Sequence, residues 1–223
     1  MSLFADAETG APVEFDATDV VLAGYTGRDQ AAVQRHIDEL AEHGVPVPVR
    51  VPAFYRITPE LVVAADSIDV LGAETSGEVE FLLLRSAGEL WVGLGSDHTD
   101  RALERDSVTH AKQLCPKVVA PGLWRYADVA EHWDRLVLRS FAGPERRVYQ
   151  EGPVTAMLDP EDILARVAER TGSDPGGRLV FSGTLALAGE LTYDRRFAAE
   201  LIDESNGRRL SLDYTINTFD PLD

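Results

Sequence analysis

Hydrophobic positions alternate with polar ones in short runs along this chain, a pattern that predicts many strands and few helices. A first strand is expected over 13–23, just before Gly24. Thr26 and Asp29 have the spacing of a helix capping box, so a helix is predicted from there to His43, with Gly44 beyond its end. The apolar residues of this helix recur at helical spacing and are Val33, Ile37, Leu40 and Ala41.

The rest of the pattern indicates further strands. Pro46, Pro48 and Pro52 impose an extended passage. Runs 78–85 and 89–95 predict a hairpin across Ser86-Ala87-Gly88. The other predicted elements are helices over 103–114 and from Asp159-Pro160 to about Gly172, and strands over 136–140, 147–150, 154–158, 178–182, 197–203 and 209–216, the last two around Asn206-Gly207. We therefore expect an α+β, β-rich fold with 1–223 as a single domain, in which 1–15 form a flexible or strand-like extension.

Charge narrows the classes of partner. The 223 residues include 38 acidic and 21 basic side chains, a net charge of −17. Such a surface repels phosphate backbones and anionic lipids, so we expect neither a nucleic-acid nor a membrane partner. A small anionic substrate is compatible only with a metal ion or a local basic pocket. The first 16 residues lack a basic start and a long apolar core, and the chain has one cysteine, Cys115, so a cytoplasmic location is expected.

The basic residues have an uneven composition. Of the 21, only Lys112 and Lys117 are lysines, and both lie in the segment AKQLCPK. A lysine ammonium is a compact charge whose pKa changes readily with its surroundings, whereas arginine supplies a permanent charge. The clustering favours a specific use for these two residues, although two residues do not exclude chance.

Glu78 and Glu80 are two apart on a predicted strand and therefore face the same side. Two close carboxylates on a buried strand require a cation or a proton between them, and a hard divalent ion satisfies both. The alternative is a strand edge where both are solvated. Asp97, in the polar segment GSDHTDR, is a candidate third ligand, and Arg101 a candidate partner for a carboxylate. The alternative there is an ordinary capped turn.

Three further features of the sequence are weaker indications of a functional site. His36 and Glu39 are neighbours on one helix face, an arrangement suited to a general base acting on water, but equally to a solvated face that also carries His43. Gly183-Thr184 follows a predicted strand and offers a hydroxyl and an N–H to an anion. Cys115 lies between Leu114 and Pro116, so a packed thiol is favoured over a nucleophile.

Taken in order, these segments resemble the fumarylacetoacetate hydrolase superfamily. That family has a His and Glu on a lid helix, a Phe-x-Lys passage, a strand Glu-x-Glu, an Asp followed by Arg, a later Lys and a late Gly-Thr. The matching segments here span about 20–190 and are GYTGRDQAAVQRHIDE, VPAFYRITP, SGEVEFLLL, GSDHTDR, AKQLCPK and FSGTLAL. Arg56 replaces the Lys of Phe-x-Lys, Leu185 replaces a usual Pro, and the stretch between Glu80 and Asp97 is short. These departures indicate a divergent branch.

The resemblance implies a mixed β-roll or sandwich with few helices and a divalent-metal site, usually Mg²⁺, with Mn²⁺ or Ca²⁺ as alternatives. It implies three ligands, Glu78, Glu80 and Asp97. It also implies that His36 and Glu39 activate water, and that Lys112, Arg56, Arg101 and Thr184 contact substrate. Family members are often homodimers.

The implied reaction is hydrolysis of a C–C bond in a small 2-oxo acid or 1,3-dicarbonyl compound. Two alternatives stay open. One is the same fold acting as a dehydratase, decarboxylase or tautomerase of an oxo or sugar acid. The other is a non-catalytic ligand-binding protein.

Overall fold

The computed structural model describes residues 3–42, 47–174, 176–220 and 222. Within those residues the chain forms short strands and four α-helices. The helices are α1 (Gln30–Glu42), α2 (Arg101–Glu104), α3 (Val108–Leu114) and α4 (Pro160–Thr171). The strands are β1 (Phe4–Asp6), β2 (Pro12–Val13), β3 (Asp19–Gly24), β4 (Ala53–Ile57), β5 (Val62–Val63), β6 (Ser67–Leu71), β7 (Thr75–Ser76), β8 (Val79–Ser86), β9 (Glu89–Ser96), β10 (Thr99–Asp100), β11 (Lys117–Val119), β12 (Gly122–Arg125), β13 (Val137–Ala142), β14 (Arg147–Pro153), β15 (Arg178–Phe181), β16 (Arg196–Asp203) and β17 (Arg208–Phe219).

Two mixed sheets carry the architecture. The larger has ten strands, in the order β2-β1-β12-β9-β8-β15-β3-β4, with β11 also paired to β9 and β5 paired to β11. The smaller has the order β14-β13-β16-β17-β6, and β7 pairs with β10 separately. Parallel pairs, such as β15 with β3 and β17 with β6, are mixed with antiparallel ones. The β-rich α+β architecture expected from the pattern is confirmed.

Strand β8 separates two hydrophobic clusters. Phe81 and Leu83 point into the larger cluster, which also takes residues from the smaller sheet, while Leu82 and Leu84 point into the second cluster on the opposite face. All of the residues from Val79 to Leu84 are therefore buried. Since alternate residues of a strand share a face, Glu80 continues the row of Leu82 and Leu84.

The predictions carried by strong local signals are confirmed. The hairpin joins β8 to β9 through Ala87 and Gly88, whose φ angles of 51° and 83° are those of a two-residue turn with both central residues left-handed. Helix α4 begins at Pro160 and is followed by Gly172 at φ 84°. None of the helices in the described residues is long and apolar enough to span a bilayer.

Several boundaries were predicted wrongly. The run 13–23 is divided between β2 and β3, because the intervening segment, 14–18, leaves the sheet. Asp29, rather than Thr26, caps α1: its carboxylate accepts from the backbone N–H groups of Ala31 and Ala32, each at 3.0 Å. Ala41 is exposed, so the apolar stripe is shorter than expected, whereas His43 and Gly44 lie outside the described residues.

The later boundaries also differ in places. The predicted helix over 103–114 is two helices, because Ser107 caps a new one at α3. The predicted strand over 154–158 begins as a 3-10 turn, Val154–Ala156. Asn206 and Gly207 belong to a four-residue turn between Asp203 and Arg208. Several strands were missed, β6, β11 and β12 among them, since short strands give almost no periodic signal. Strand β1 lies in the extension over 1–15 that was expected to be flexible or strand-like.

Candidate metal centre

The centre begins where β8 and β9 meet. Glu80 lies near the start of β8 opposite Gly95, Glu78 directly precedes β8, and Asp97 directly follows β9. The N–H of Asp97 donates to the carbonyl of Glu78 at 3.0 Å, which extends the ladder by one more contact. One carboxylate oxygen from each of Glu78, Glu80 and Asp97 lies within 4.8 Å of the others. Hairpin register alone therefore brings the three predicted ligands together.

Glu80 is the least compensated of the three carboxylates. Its side chain is 1% exposed, and its Oε2 accepts from the backbone N–H of Gly183 at 2.9 Å. Burial, reinforced by the negative charge of Asp97, raises the pKa of Glu80 well above its usual range. An ionised Glu80 therefore needs a further cation beside it.

The segment Ser182–Thr184 holds β8 in place. The hydroxyl of Ser182 accepts from the N–H of Phe81 at 3.1 Å, and the hydroxyl of Thr184 donates to the carbonyl of Val79 at 2.8 Å. Thr184 also accepts from the side-chain amide of Gln150 at 2.7 Å. The Thr184 hydroxyl is thus engaged by protein groups as donor and as acceptor, and its contact with substrate stays a prediction.

Glu78 is held by arginine and lysine. Its Oε1 lies 3.0 Å from Nη2 of Arg101, and its Oε2 lies 3.2 Å from Nζ of Lys112. Burial alone would raise the pKa of Glu78, but Arg101 and Lys112 hold it below its usual range. Arg101 also donates to Glu104 and to Ser76, each at 2.8 Å. Its guanidinium is thus engaged by protein acceptors, and the contact of Arg101 with substrate stays a prediction.

Asp97 is fully buried and meets both lysines of the chain. Oδ2 pairs with Nζ of Lys112, and Oδ1 lies 3.0 Å from Nζ of Lys117. Burial opposes ionisation of Asp97, but the two ammonium groups prevail and lower its pKa to about 2. Asp97 therefore stays a carboxylate across the physiological range.

The donor set fits a hard divalent ion. All three candidate ligands are carboxylates, the ligand type that Mg²⁺, Mn²⁺ and Ca²⁺ accept in proteins. Octahedral bonds of about 2.1 Å place ligand oxygens about 3 Å apart, or about 4.2 Å when opposite. The three carboxylate oxygens lie within 4.8 Å of one another, which is compatible with that spacing.

Two tyrosines near the cluster were missed by the sequence analysis. Tyr25 follows β3 with φ 57°, a left-handed conformation that is rare for a bulky residue. Burial raises its pKa, with added effects from the charges of Glu104, Lys112 and Glu78. Burial likewise raises the pKa of Tyr55, on β4, to about 12. The positive φ of Tyr25 has no sequence signal, because only the fold imposes it.

The remaining candidate residues lie away from the cluster or have side chains outside the described part of the structure. Arg56 is largely exposed and its Nε lies 2.9 Å from Oδ1 of Asp19, so it is not brought to the cluster: on β4 it faces away from its neighbour Tyr55. His36 and Glu39 lie on α1, but their side chains are outside the described part of the structure. Cys115 is packed in the core, and burial raises the pKa of its thiol to about 11.

The sequence was compared with known families and structures. A family model described as "Protein of unknown function (DUF2848)" matches residues 23–214. The chain belongs to this family. No protein with a curated function shows significant sequence similarity to it.

Solved structures with the same fold are more informative about architecture. A protein assigned as a fumarylpyruvate hydrolase from Burkholderia cenocepacia aligns with a TM-score of 0.68 at 16% identity, over 98% of this chain and 91% of its own. A yeast fumarylacetoacetate hydrolase family protein gives 0.63 at 16%, over 91% and 94%. A 2-keto-3-deoxy-D-arabinonate dehydratase complexed with magnesium and 2,5-dioxopentanoate gives 0.64 at 18%, over 92% and 75%. The DUF2848 chain therefore has the fumarylacetoacetate hydrolase fold, as the resemblance implied.

Proposed function

We propose that this protein is a divalent-metal-dependent enzyme that hydrolyses a C–C bond in a small 2-oxo acid or 1,3-dicarbonyl compound. The observation that carries the proposal is the buried cluster of Glu78, Glu80 and Asp97 with Lys112 beside it. The raised pKa of Glu80 supports a cation there, since an ionised carboxylate buried beside other carboxylates is costly without one. The magnesium complex of the dehydratase with the same fold supports the choice of Mg²⁺.

Glu78, Glu80 and Asp97 would hold the ion, with Mn²⁺ and Ca²⁺ as the alternatives to test. When bound, the ion supplies Lewis-acid polarisation of the carbonyl oxygen of a chelating oxo acid. Lys112 is the cationic group that we assign to substrate, because its ammonium lies against two of the three ligands and retains 8% exposure. There it would donate to the oxygen on which negative charge develops as the C–C bond breaks.

The side chains around the cluster have distinct proposed roles. Arg101 fixes Glu78, and Ser182–Thr184 fixes the strand that carries Glu80. We propose that His36 and Glu39 activate the attacking water when α1 covers the site. This assignment rests on their spacing along the helix. Tyr25, just after β3, and Tyr55, on β4, are partly buried near the charges of Glu78 and Lys112 and would help to exclude bulk water from the site.

The charge of the site favours an anionic substrate. Four carboxylates (Glu78, Glu80, Asp97 and Glu104) face three cationic side chains (Arg101, Lys112 and Lys117). Their formal sum of −1 becomes +1 with a divalent ion. A positive site on a chain of net charge −17 attracts an anion locally while the rest of the surface repels it.

The first experiment is thermal unfolding of chelator-treated protein with Mg²⁺, Mn²⁺ or Ca²⁺ returned, then with oxalate as a stand-in for an oxo acid. A ligand at a hundred times its Kd adds about 2.7 kcal/mol. For a chain of this length, that raises Tm by roughly 5–10 °C. Glu80→Gln should abolish the rise in Tm. Glu89→Gln removes the charge of an exposed residue on the same hairpin and should leave the rise intact. No rise with any ion would refute the proposal.

A turnover assay distinguishes hydrolysis from the alternative reactions of this fold. A panel of oxo acids and 1,3-diketones is incubated with the metal-loaded protein and the products are weighed by mass spectrometry. Hydrolysis adds the mass of water across two fragments, whereas dehydration removes it from one molecule. Stabilisation by ligands without any product across the panel would favour a binding protein instead. The homodimer that we also propose from the family resemblance is tested separately by sedimentation.

A further inference from the structure

The two lysines of this chain meet the same carboxylate. Lys112 pairs with Oδ2 of Asp97 and Lys117 with Oδ1, although 19 of the 21 basic residues are arginines. An arginine-rich chain that keeps lysine at these two positions indicates that a compact ammonium is required at both edges of Asp97. A guanidinium is planar and larger, so it does not fit two opposed edges of one buried carboxylate equally well.

Only one of the two lysines can reach a substrate. The side chain of Lys112 is 8% exposed and also contacts Glu78, whereas that of Lys117 is 0% exposed. Besides Asp97, the Lys117 ammonium donates to the backbone carbonyl of His98. Its two identified acceptors therefore both belong to the segment that carries the candidate ligand. Lys117 is buried beneath the site and does not line it.

The backbone anchors Lys117 more firmly than Lys112. Lys117 opens β11, which lies between β5 and β9, and the pairing of Val118 with Ser96 places Lys117 across from Asp97. The segment is held from the other sheet as well, because the Tyr214 hydroxyl lies 2.9 Å from Oγ of Ser96. Lys112 lies instead near the end of the short helix α3.

We propose that Lys117 is a positioning residue that fixes the Oδ1 edge of Asp97. The Oδ2 edge then stays directed at the metal site. Lys112 is left free to exchange its contact with Asp97 for a contact with substrate. The inference rests on the proposed metal-dependent function. Loss of a group that orients a metal ligand typically weakens metal affinity by about 10–100-fold. Lys117 should behave in this way, although it touches neither metal nor substrate.

The test is a calorimetric titration. Metal-free wild type, Lys117→Met and Lys117→Gln are each titrated with Mn²⁺, and the affinities are compared. We expect Lys117→Met to weaken Mn²⁺ affinity by at least about tenfold. Lys117→Gln retains a donor and should recover much of that loss. If Lys117 acted only as a repelling positive charge, both variants would bind Mn²⁺ more tightly. Wild-type or tighter affinity in a folded Lys117→Met would overturn the inference alone, whereas a wild type that binds no divalent ion would overturn the proposed function as well.

A second measurement needs no substitution at position 117 and stands even if Lys117→Met fails to fold. Because the chain has two lysines, protein labelled with ¹⁵N at the lysine Nζ gives two ammonium signals, which Lys112→Met assigns. We expect the Lys117 signal to exchange slowly with water and to change little when Mg²⁺ and oxalate are added, while the Lys112 signal moves. A Lys117 signal that exchanges as fast as that of Lys112, or moves further, would overturn the positioning role.

Discussion

Gly183 donates to Glu80 in the candidate metal centre and lies against Thr26, which precedes α1. Replacing Gly183 by alanine should therefore lower the free energy of unfolding. Its φ is +86°, and a Cβ there would lie 2.4 Å from Oγ1 of Thr26 and 3.1 Å from the carbonyl oxygen of Ala23. A left-handed non-glycine residue costs about 1–2 kcal/mol. Displacing Thr26 also breaks its buried bond to the Ser182 carbonyl, 2.7 Å long, at about 1–3 kcal/mol.

We therefore expect Gly183→Ala to lower the free energy of unfolding by about 2–5 kcal/mol, measured by urea denaturation of metal-free protein. Gly88→Ala is the matched control, because Gly88 has φ +83° and nothing within 4 Å of an added Cβ. It should show only the conformational cost, about 1–2 kcal/mol. The difference between the two variants isolates the clash.

Thr26→Ala removes the clashing oxygen and completes a double-mutant cycle. In that background, Gly183→Ala should cost about 1–3 kcal/mol less than in wild type, since the hydroxyl it displaces is gone. A Gly183→Ala that costs no more than Gly88→Ala, or effects that simply add, would show that the predicted clash with Thr26 is absent. The N–H of Gly183 also donates to Glu80, so the variant should weaken Mn²⁺ binding as well.

Three other outcomes are expected. Asp29→Ala should cost about 1 kcal/mol in urea denaturation, because it removes the carboxylate cap of α1; no change would exclude that role. Asp203 is buried, but hydrogen bonds from Asn206 and His132 outweigh the effect of burial and lower its pKa. Its ionised carboxylate therefore contributes fully to the free energy of unfolding above the unfolded pKa of about 3.9, and this contribution is lost as the pH drops through the lower folded pKa. Asp203→Asn should accordingly reduce stability at pH 7 and progressively less under acid, and a pH-independent difference would contradict the linkage. The Cys115 thiol should react with a disulfide reagent at pH 8 far more slowly in native than in unfolded protein, and equal rates would show that it is accessible.

The proximity of the three candidate ligands could be predicted because they belong to one hairpin. Glu78, Glu80 and Asp97 are close in sequence, and strand periodicity together with the turn at Ala87-Gly88 is sufficient to bring them together. The same holds for α4, which carries its own start and stop signals. The His36–Glu39 pair stays a prediction, because the side chains concerned lie outside the described residues.

The partners of the charged and polar candidate residues could not be predicted from the sequence and are seen only in the tertiary structure. The sequence shows that Arg101, Arg56 and Thr184 have side chains able to bind an anion, but each is engaged by protein groups: Arg101 by Glu78, Arg56 by Asp19 and Thr184 by Val79. No local pattern reveals such pairing, because the partners come from other segments of the chain.

Local patterns in the sequence are therefore sufficient to predict which residues can ligate a metal and which segments form hairpins and capped helices, since those depend on neighbours within a few positions. The placement of Lys117 beneath Asp97, and of Tyr25 and Tyr55 near the charges of Glu78 and Lys112, depends instead on the tertiary structure. These arrangements arise when β3, β4 and β11 join one sheet across large sequence separations. Burial and neighbouring charges then set the pKa values of the carboxyl groups. Asp97, in contact with both lysines, has a pKa of about 2, whereas at Glu80 burial and the charge of Asp97 outweigh the effect of Lys112 and raise the pKa.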